Sequence, residues 1–185
     1  MLTKEEALTL VKRNVTKRNT LYHMITVEAI MKRVAGHLGE NEELWELTGL
    51  LHDIDYEKTE NSPENHALLS EEILSKSNVP AEVIRAIKAH NFQYSHVKPE
   101  STIEKALIAC DAISGLLVAC ALVMPSKKLA EVKADTVAKK FKDKSFARGV
   151  ERERILLCEE IGIPMRMFLK ISLVGLKEVS SEIGL

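Results

Sequence analysis

The sequence predicts an all-α fold in a single domain over residues 1–185. Apolar residues recur at spacings of three, four and seven along most of the chain, and signals for helix ends fall between these runs. No hairpin signal and no useful run of alternating residues indicates a β-strand. A chain of 185 residues, 45% of them hydrophobic and 29% charged, is large and apolar enough to bury one core.

Capping residues and a glycine define the first three predicted helices. Thr3 and Glu6 have the spacing of a capping box, which predicts that the first helix opens there. A second helix is predicted over about 20–38, where Gly39 ends it. Asn41 caps a third helix, which extends through the apolar run LTGLL.

Prolines and a second capping box mark the next three helices. Ser62 followed by Pro63 in the first turn predicts a fourth helix over about 62–78, and Pro80 begins a fifth over about 80–91. Ser101 and Glu104 form a capping box before a long apolar helix that Pro125 closes.

The last third of the chain, 127–185, is more charged and is predicted to be a helical extension of the same domain. Its expected segments lie near 127–142, 145–162 and 164–182. From Lys127 to Arg154 there are ten basic and five acidic side chains, within a chain of net charge −1. Such a run indicates either a solvated helix face or an anion-binding rim beside a catalytic pocket.

Composition narrows the classes of partner and location. Basic and acidic side chains number 26 and 27, and only 4% of residues are aromatic, which argues against dedicated nucleic-acid binding. Three cysteines without a CxxC pair indicate a reduced, cytoplasmic protein without a thiolate zinc site. The charged N-terminus differs from a signal peptide, and the longest uncharged stretch, 112–126, is too short to cross a bilayer. We therefore expect no membrane partner.

Several titratable side chains occupy helix faces that are otherwise apolar. Burying a carboxylate or several imidazoles without partners costs several kcal/mol each. A buried cation would provide a partner for all of them, and nitrogen and oxygen donors without cysteine suit Fe, Mn, Zn or Ni. The candidate ligands are His23, His52, Asp53, His66, His90 and Asp111.

This ordered set, carried on helices over about 20–120, resembles the HD-domain superfamily of metal-dependent phosphohydrolases. The stretch LLHDID at 50–55 is similar to the HDIG-type signature, with Asp55 where glycine often stands. His66 and His90 match the extra histidines of the subgroup that holds two metals. The tail KKFKDKSFARGVERE at 139–153 is similar to that of small HD-domain proteins of unassigned substrate.

The resemblance implies an HD-domain fold with one or two divalent transition metals in the helical core. A metal-activated hydroxide would then cleave a phosphomonoester or phosphodiester, in our interpretation that of a nucleotide. Asp53 would bridge the two metals and so take part in catalysis. The implied ligands are His23, His52, Asp53 and Asp111 for the first metal, and His66, His90 and Asp53 for the second.

The remaining candidate residues concern the substrate. The leaving oxygen needs a proton or a positive charge, and Asp55 and Lys58 are the nearest candidates in sequence. The role that we favour for both is that of a solvated loop. Lys142, Lys144 and Arg148 are candidates for charge-assisted hydrogen bonds to the substrate phosphate.

The substrate stays open because the chain departs from each subfamily that we compared. It lacks the GYP segment of cyclic-di-GMP phosphodiesterases after His90 and the Glu-Asp pair of guanosine tetraphosphate hydrolases after Asp53. Asp111 is followed by AISGLL, not by the polar segment of diadenosine tetraphosphate hydrolases. The alternative function is a catalytically silent, metal-containing module that binds or senses a nucleotide. Whether the protein forms a homodimer is also open.

Overall fold

The computed structural model describes residues Met1–Leu185 and contains α-helices and short 3₁₀ turns but no β-strand. The predicted all-α class is therefore confirmed. The α-helices are α1 (Lys4–Asn14), α2 (Arg18–Leu38), α3 (Glu42–Leu51), α4 (Tyr56–Thr59), α5 (Leu68–Leu74), α6 (Ala81–His90), α7 (Phe92–Ser95), α8 (Thr102–Leu122), α9 (Ala134–Lys142), α10 (Arg152–Ile155), α11 (Leu157–Glu160), α12 (Met165–Glu178) and α13 (Ser180–Ile183). The 3₁₀ turns are Pro63–Asn65 and Leu129–Glu131.

The ends of the long helices form as the local sequence predicts. At the start of α1, Thr3 Oγ1 accepts the Glu6 N–H at 3.2 Å, and the Glu6 carboxylate accepts the Thr3 N–H at 2.8 Å. Gly39 has φ 73° directly after α2, the left-handed conformation that ends helices and favours glycine. At the start of α8, the Ser101 N–H donates to Glu104 Oε2 at 3.1 Å.

Helices α2 and α8 form the centre of the fold, and α3, α6 and α12 pack around them. Two glycines permit close approach to α2. A Cβ on Gly49 of α3 would lie 2.8 Å from Glu28 Cα, and one on Gly175 of α12 would lie 2.7 Å from Ala29 O. The buried apolar residues form one core, to which most of the helices between α1 and α13 contribute side chains. This packing brings the C-terminal end of α3 beside α2.

The region predicted as one helix over 62–78 is interrupted. The 3₁₀ turn is followed by His66 in an extended conformation and by Ala67 at φ 69°, and α5 begins at the next residue. The His66 side chain and the Ala67 N–H both bond to the Asp55 carboxylate, which lies outside this region. These contacts replace the helical conformation, so the prediction of a continuous helix was wrong here.

The segment predicted over 145–162 also differs from a continuous helix. Residues 144–149 form turns, and only the four-residue helices α10 and α11 follow. The Arg152 guanidinium accounts for this break, because Nη1 donates to Ala147 O and to Val150 O, both at 2.7 Å. Backbone carbonyls that lack helical partners are satisfied by side chains, and the guanidinium does so for this turn.

Helix α8 is long and apolar enough to cross a membrane by length and composition. In the structure most of its apolar stretch is buried against other helices, where it contributes to the core. Core helices of soluble proteins meet the same criterion. The cytoplasmic location expected from the sequence stays a prediction.

Candidate metal centre

Five parts of the chain place the six candidate ligands around one cleft. The packing of α3 on α2 brings the first histidine close to the His-Asp pair, and α6 and α8 complete the ring. All six residues are buried or half-buried. They are His23 on α2, His52 and Asp53 directly after α3, His66 in the turn before α5, His90 at the end of α6, and Asp111 on α8.

The Asp53 carboxylate lies at the centre of this cluster. Asp53 Oδ1 is 3.5 Å from His52 Nε2, 3.4 Å from His66 Nε2 and 3.6 Å from His90 Nε2. Asp53 Oδ2 is 3.5 Å from His23 Nε2. The donors form two sets, His23–His52–Asp53 and Asp53–His66–His90, each within 4.8 Å of one another. The two sets share Asp53.

The imidazole rings meet nitrogen to nitrogen. His23 Nε2 lies 3.1 Å from His52 Nε2, and His66 Nε2 lies 3.0 Å from His90 Nε2. Asp111 Oδ1 joins the first pair at 3.2 Å from His23 Nε2. Two nitrogen lone pairs at this separation repel, so each pair requires a proton or a shared cation.

The hydrogen-bond partner of Nδ1 shows which of the two nitrogens in each imidazole ring carries the hydrogen. His52 Nδ1 lies 2.8 Å from Gly49 O, and His90 Nδ1 contacts the carbonyl of Ile87. A backbone carbonyl only accepts hydrogen bonds. In both neutral rings Nδ1 is therefore the donor, and Nε2 presents a lone pair to the cleft.

The same reasoning applies to the two remaining rings. His66 Nδ1 lies 2.8 Å from Asp55 Oδ1, and an ionised carboxylate also only accepts. His23 Nδ1 lies 3.2 Å from Ser114 Oγ, whose own hydrogen is donated to Asp111 O at 2.7 Å. The Ser114 hydroxyl therefore accepts from His23. In its neutral, metal-binding form each of the four imidazoles directs an Nε2 lone pair into the cleft.

This donor set fits a divalent transition metal. The ion-pair partners of Asp53 and Asp111 are all histidines, with no lysine or arginine among them. Buried carboxylates without a cation are costly, so the cluster has to take up either protons on its histidines or a metal cation. Nitrogen and oxygen donors without a thiolate match the preferences of Fe, Mn, Zn and Ni. The cluster therefore has the chemistry of a divalent-metal site.

Burial and charge shift the pKa values within the cluster in opposite directions. Burial disfavours protonation of His23, but the Asp111 hydrogen bond and the two carboxylate charges outweigh it and raise the pKa to about 9. Burial lowers the pKa of His52 to about 4. For both carboxyls burial favours the neutral form, but the histidines outweigh it, lowering the pKa of Asp53 and bringing that of Asp111 to about 2. The carboxylates are therefore ionised at neutral pH, as metal ligation requires.

Asp55 lies behind the cluster and holds one of its histidines. Its side chain is fully buried; Oδ1 accepts from His66 Nδ1, and Oδ2 accepts the N–H groups of Ala67 at 2.8 Å and Ser70 at 2.9 Å. The N–H groups at the start of a helix lack intrahelical acceptors, so Asp55 caps α5 while it orients His66. The solvated loop expected for Asp55 is wrong, and the residue does not line the cleft.

The candidate cations do not reach the cleft. Lys58 Nζ donates to Asn14 Oδ1 at 2.7 Å. Lys142, Lys144 and Arg148 are exposed, and none of them lines the cleft. The apolar side of α9 packs against α8 and α12, which leaves Lys142 in solvent. The structure therefore does not bring the predicted leaving-group and phosphate-binding cations to the metal cluster.

The cleft has a volume of about 500 Å³ and includes residues that sequence reasoning missed. Asn91 Nδ2 donates to Pro63 O at 3.1 Å and to His66 O at 2.9 Å, so it holds the turn that carries His66. Arg154 is the one lysine or arginine that lines the cleft. Their only sequence signals were the position of Asn91 after His90 and the basic run that Arg154 ends.

A second cavity, which we call the adjoining groove, meets the cleft at Asn19 and His23. Its volume is about 510 Å³. Aliphatic side chains form much of its wall, with Val118 and Leu122 from α8 and Ile183 from α13. The metal cluster therefore has an apolar space next to its first histidine.

Comparison with known proteins identifies relatives that share part of the chain. Ribonuclease Y of Acholeplasma laidlawii is 35% identical over 97 residues, which are 52% of this chain and 18% of that protein. Ribonuclease Y of Sulfurovum sp. is 27% identical over 139 residues, 74% of this chain and 27% of the relative. That of Desulfotalea psychrophila is 28% identical over 147 residues, 77% of this chain and 27% of the relative. The chain thus spans about a fifth to about a quarter of these proteins.

No solved structure matches the chain. The family model of the HD domain matches residues 20–115, which are more than half of the chain. This segment contains all six residues of the metal cluster and ends within α8. The protein therefore belongs to the HD-domain family of metal-dependent phosphohydrolases.

Proposed function

We propose that this HD-domain hydrolase cleaves a phosphomonoester or phosphodiester of a nucleotide at a centre of two divalent metals. One observation carries the proposal: four Nε2 lone pairs and two carboxylates converge in one cleft, with Asp53 common to both donor sets. The proposed ligands of the first metal are His23, His52, Asp53 and Asp111. Those of the second are His66, His90 and Asp53.

Divalent metals in such a site supply an acidified water and positive charge for the phosphate oxygens. The chain's own residues hold the site in shape for that chemistry. Ser114 and Asp55 orient two of the imidazoles, and backbone carbonyls orient the other two. Because these contacts are formed within the protein, the donor atoms need little rearrangement when a metal binds.

The adjoining groove supports a substrate with an organic group of nucleoside size. It opens beside His23 and offers aliphatic walls together with the ring of Tyr22. Apolar walls of this kind suit the faces of a nucleobase, whereas inorganic or condensed phosphate would gain nothing from them. We propose that the phosphate lies at the cluster and the nucleoside in the groove.

The similarity to proteins named Ribonuclease Y favours a second candidate, a phosphodiester of RNA. The matched part is about a fifth to about a quarter of those relatives, so the proposal for this chain has to be tested directly. The net charge of −1 and the few aromatic residues favour a small substrate over a long strand. We therefore place the nucleotide first and RNA second.

The test is a panel of substrates offered to protein loaded with Mn²⁺ or Fe²⁺. The panel contains nucleoside monophosphates, cyclic nucleotides, a dinucleotide and an end-labelled RNA of ten nucleotides. We expect release of phosphate and nucleoside from a nucleoside monophosphate, or of a nucleoside monophosphate from a cyclic nucleotide or the dinucleotide, and slower cleavage of the RNA. Faster cleavage of the RNA would favour the second candidate.

Two histidine variants control this experiment. His52→Ala removes a buried ligand candidate, whereas His37→Ala removes an exposed histidine outside the cleft. We expect activity in His37→Ala and none in His52→Ala at similar helicity. Full activity in His52→Ala would contradict the metal centre as the catalytic site. Tight nucleotide binding without turnover by wild type would favour the catalytically silent binding module.

A further inference from the structure

We propose that Arg154 binds a non-bridging oxygen of the substrate phosphate at the metal cluster. This inference rests on the proposed function and adds a residue to it. Arg154 lines the same cleft as the ligand candidates and is the one lysine or arginine that does so. It lies outside the segment 20–115 that matches the HD domain. A planar guanidinium binds phosphate oxygens through paired N–H donors.

The guanidinium is anchored on two sides and still has free donors. Nη2 donates to the carbonyl of His90, and Cζ lies 5.6 Å from the centroid of the Phe92 ring. Nη1 approaches Glu151 Oε1 at 3.9 Å, beyond hydrogen-bond length, and the buried Nε has no partner. An arginine has five N–H donors, and the protein uses few of them here. Because Nε is buried, an oxyanion in the cleft would accept from the Nη groups.

The anchors of Arg154 also give the substrate a direction. The contact with His90 places the guanidinium beside the His66–His90 pair, whereas the adjoining groove meets the cleft at His23. A phosphate ester across the cluster would therefore have its charged end near Arg154 and its organic group near the groove. This direction agrees with the nucleotide proposed above.

Arg152 is the positioning residue for this arrangement. Its guanidinium donates to the carbonyls of Ala147 and Val150 at 2.7 Å, and also to that of Phe146. The chain turns around this side chain immediately before α10, and α10 packs on α8 through the fully buried Ile155. Arg154 extends from the short helix that these two contacts hold in place. The basic run thus contains one arginine that binds backbone and one that faces the cleft.

Calorimetry on the Mn²⁺-loaded 185-residue chain measures the binding of inorganic phosphate and so tests the assignment. Arg154→Gln is expected to weaken phosphate binding about 10- to 100-fold, because a charge-assisted contact is lost. Arg154→Lys keeps the charge but loses the planar pair of N–H donors, so its affinity for phosphate should lie between those of wild type and Arg154→Gln. Arg166→Gln is the matched control, since Arg166 is exposed and pairs only with Asp135 at 3.3 Å. It should bind phosphate as wild type does.

Metal content is measured for every variant, so that a lost metal is not mistaken for a lost phosphate contact. With full metal content, phosphate binding by Arg154→Gln within twofold of wild type would overturn the assignment. If Arg154→Gln does not fold, unchanged affinity in Arg154→Lys has the same meaning. For any substrate that wild type hydrolyses, we expect Arg154→Gln to raise KM more than it lowers kcat.

The role of Arg152 has its own readout. Arg152→Gln should weaken phosphate binding by less than Arg154→Gln does, at full metal content and far below its unfolding temperature. Unchanged affinity would overturn the positioning role. The phosphate measurement does not depend on turnover. Weak binding by Arg154→Gln beside an inactive wild type would keep Arg154 as an anion ligand and reject only the proposed hydrolysis.

Discussion

Two clusters of buried charge involve helix α2, and they differ in the source of their positive charge. In the glutamate cluster, Lys4 Nζ lies 2.7 Å from Glu28 Oε1 and 2.8 Å from Glu46 Oε1. Lys32 Nζ lies 2.9 Å from Glu46 Oε2, so two ammonium groups face two carboxylates. In the metal cluster the two aspartates face only histidines.

The difference shows which buried acidic groups need a cation from outside. Lysine side chains neutralise the glutamate cluster, and nothing further has to bind there. The four imidazoles of the metal cluster have their Nδ1 atoms engaged, and their Nε2 atoms offer lone pairs to the same space. Burial of carboxylates is common to both clusters, but the metal cluster contains no lysine or arginine, and its only internal positive charge is a proton on a histidine such as His23. The lack of a lysine or arginine, together with histidines that can exchange a proton for a metal ion, distinguishes the metal cluster from the glutamate cluster.

The largest effect is expected when the shared carboxylate is removed. Asp53→Ala should lower the metal content to well below one metal per chain and hydrolysis by about 1,000-fold, because Asp53 contributes to both donor sets. Helicity should persist, since the residue follows α3 and lies outside the apolar core. Metal per chain is measured by mass spectrometry on protein purified without chelator, and helicity is measured by circular dichroism. Asp135→Ala, on an exposed aspartate, is the control. Two metals in Asp53→Ala would refute the shared role.

A smaller change is expected when only the second donor set is broken. Wild type should carry close to two metals per chain, and His66→Ala close to one, because the first set does not include His66. His37→Ala, an exposed histidine, should retain both metals. One metal in wild type and in His66→Ala would indicate a mononuclear site. His66 and His90 would then be reassigned to substrate contact or proton transfer.

The sequence predicted which side of each helix faces the interior better than it predicted the contacts between helices. The aliphatic spacings around His23, His90 and Asp111 place these side chains toward the interior, and the structure brings them to one cleft. Helical periodicity suffices for this, because it depends on a few neighbouring residues. It fails at His66, where a contact from outside the segment breaks the helix.

The residues that support the cluster could not be found from spacing. Asp55 bonds to N–H groups 12 and 15 residues later in the chain, and Arg154 to a carbonyl 64 residues earlier. Such contacts depend on how helices pack, which no local pattern contains. The basic run at 127–154 likewise drew attention to Lys142, Lys144 and Arg148, although only the packing of α10 decides which cation reaches the cleft.

Asp55→Asn tests the support behind the second set. The Asp55 carboxylate accepts from His66 on one oxygen and from two N–H groups on the other. An amide has only one oxygen, so either orientation of asparagine opposes a donor with a donor. We expect the affinity for the second metal to fall about 10- to 100-fold, measured by competition with a chelating dye. Asp135→Asn is the matched control. Unchanged affinity in Asp55→Asn would show that His66 needs no such support.

The smallest expected effect belongs to the glutamate cluster and depends on pH. Burial raises the pKa of Glu28 from its usual 4.5 to about 7, although the neighbouring Lys4 ammonium opposes this. The native protein therefore binds this proton more tightly than the unfolded chain does. Between about pH 4.5 and 7 the free energy of unfolding should fall as the pH rises. Glu28→Gln cannot titrate and should lack that fall.

Urea unfolding at pH 5 and at pH 7.5, with chelator present, measures this difference. The metal cluster titrates in both proteins, so the wild type minus Glu28→Gln difference isolates Glu28 and should change by about 1 to 3 kcal/mol. Glu178→Gln, which breaks an exposed pair with Arg33, should show no comparable change. A constant difference for Glu28→Gln would mean that the lysines keep Glu28 ionised in the folded protein. The glutamate cluster would then be fully neutralised from within, and its contrast with the metal cluster would be greater still.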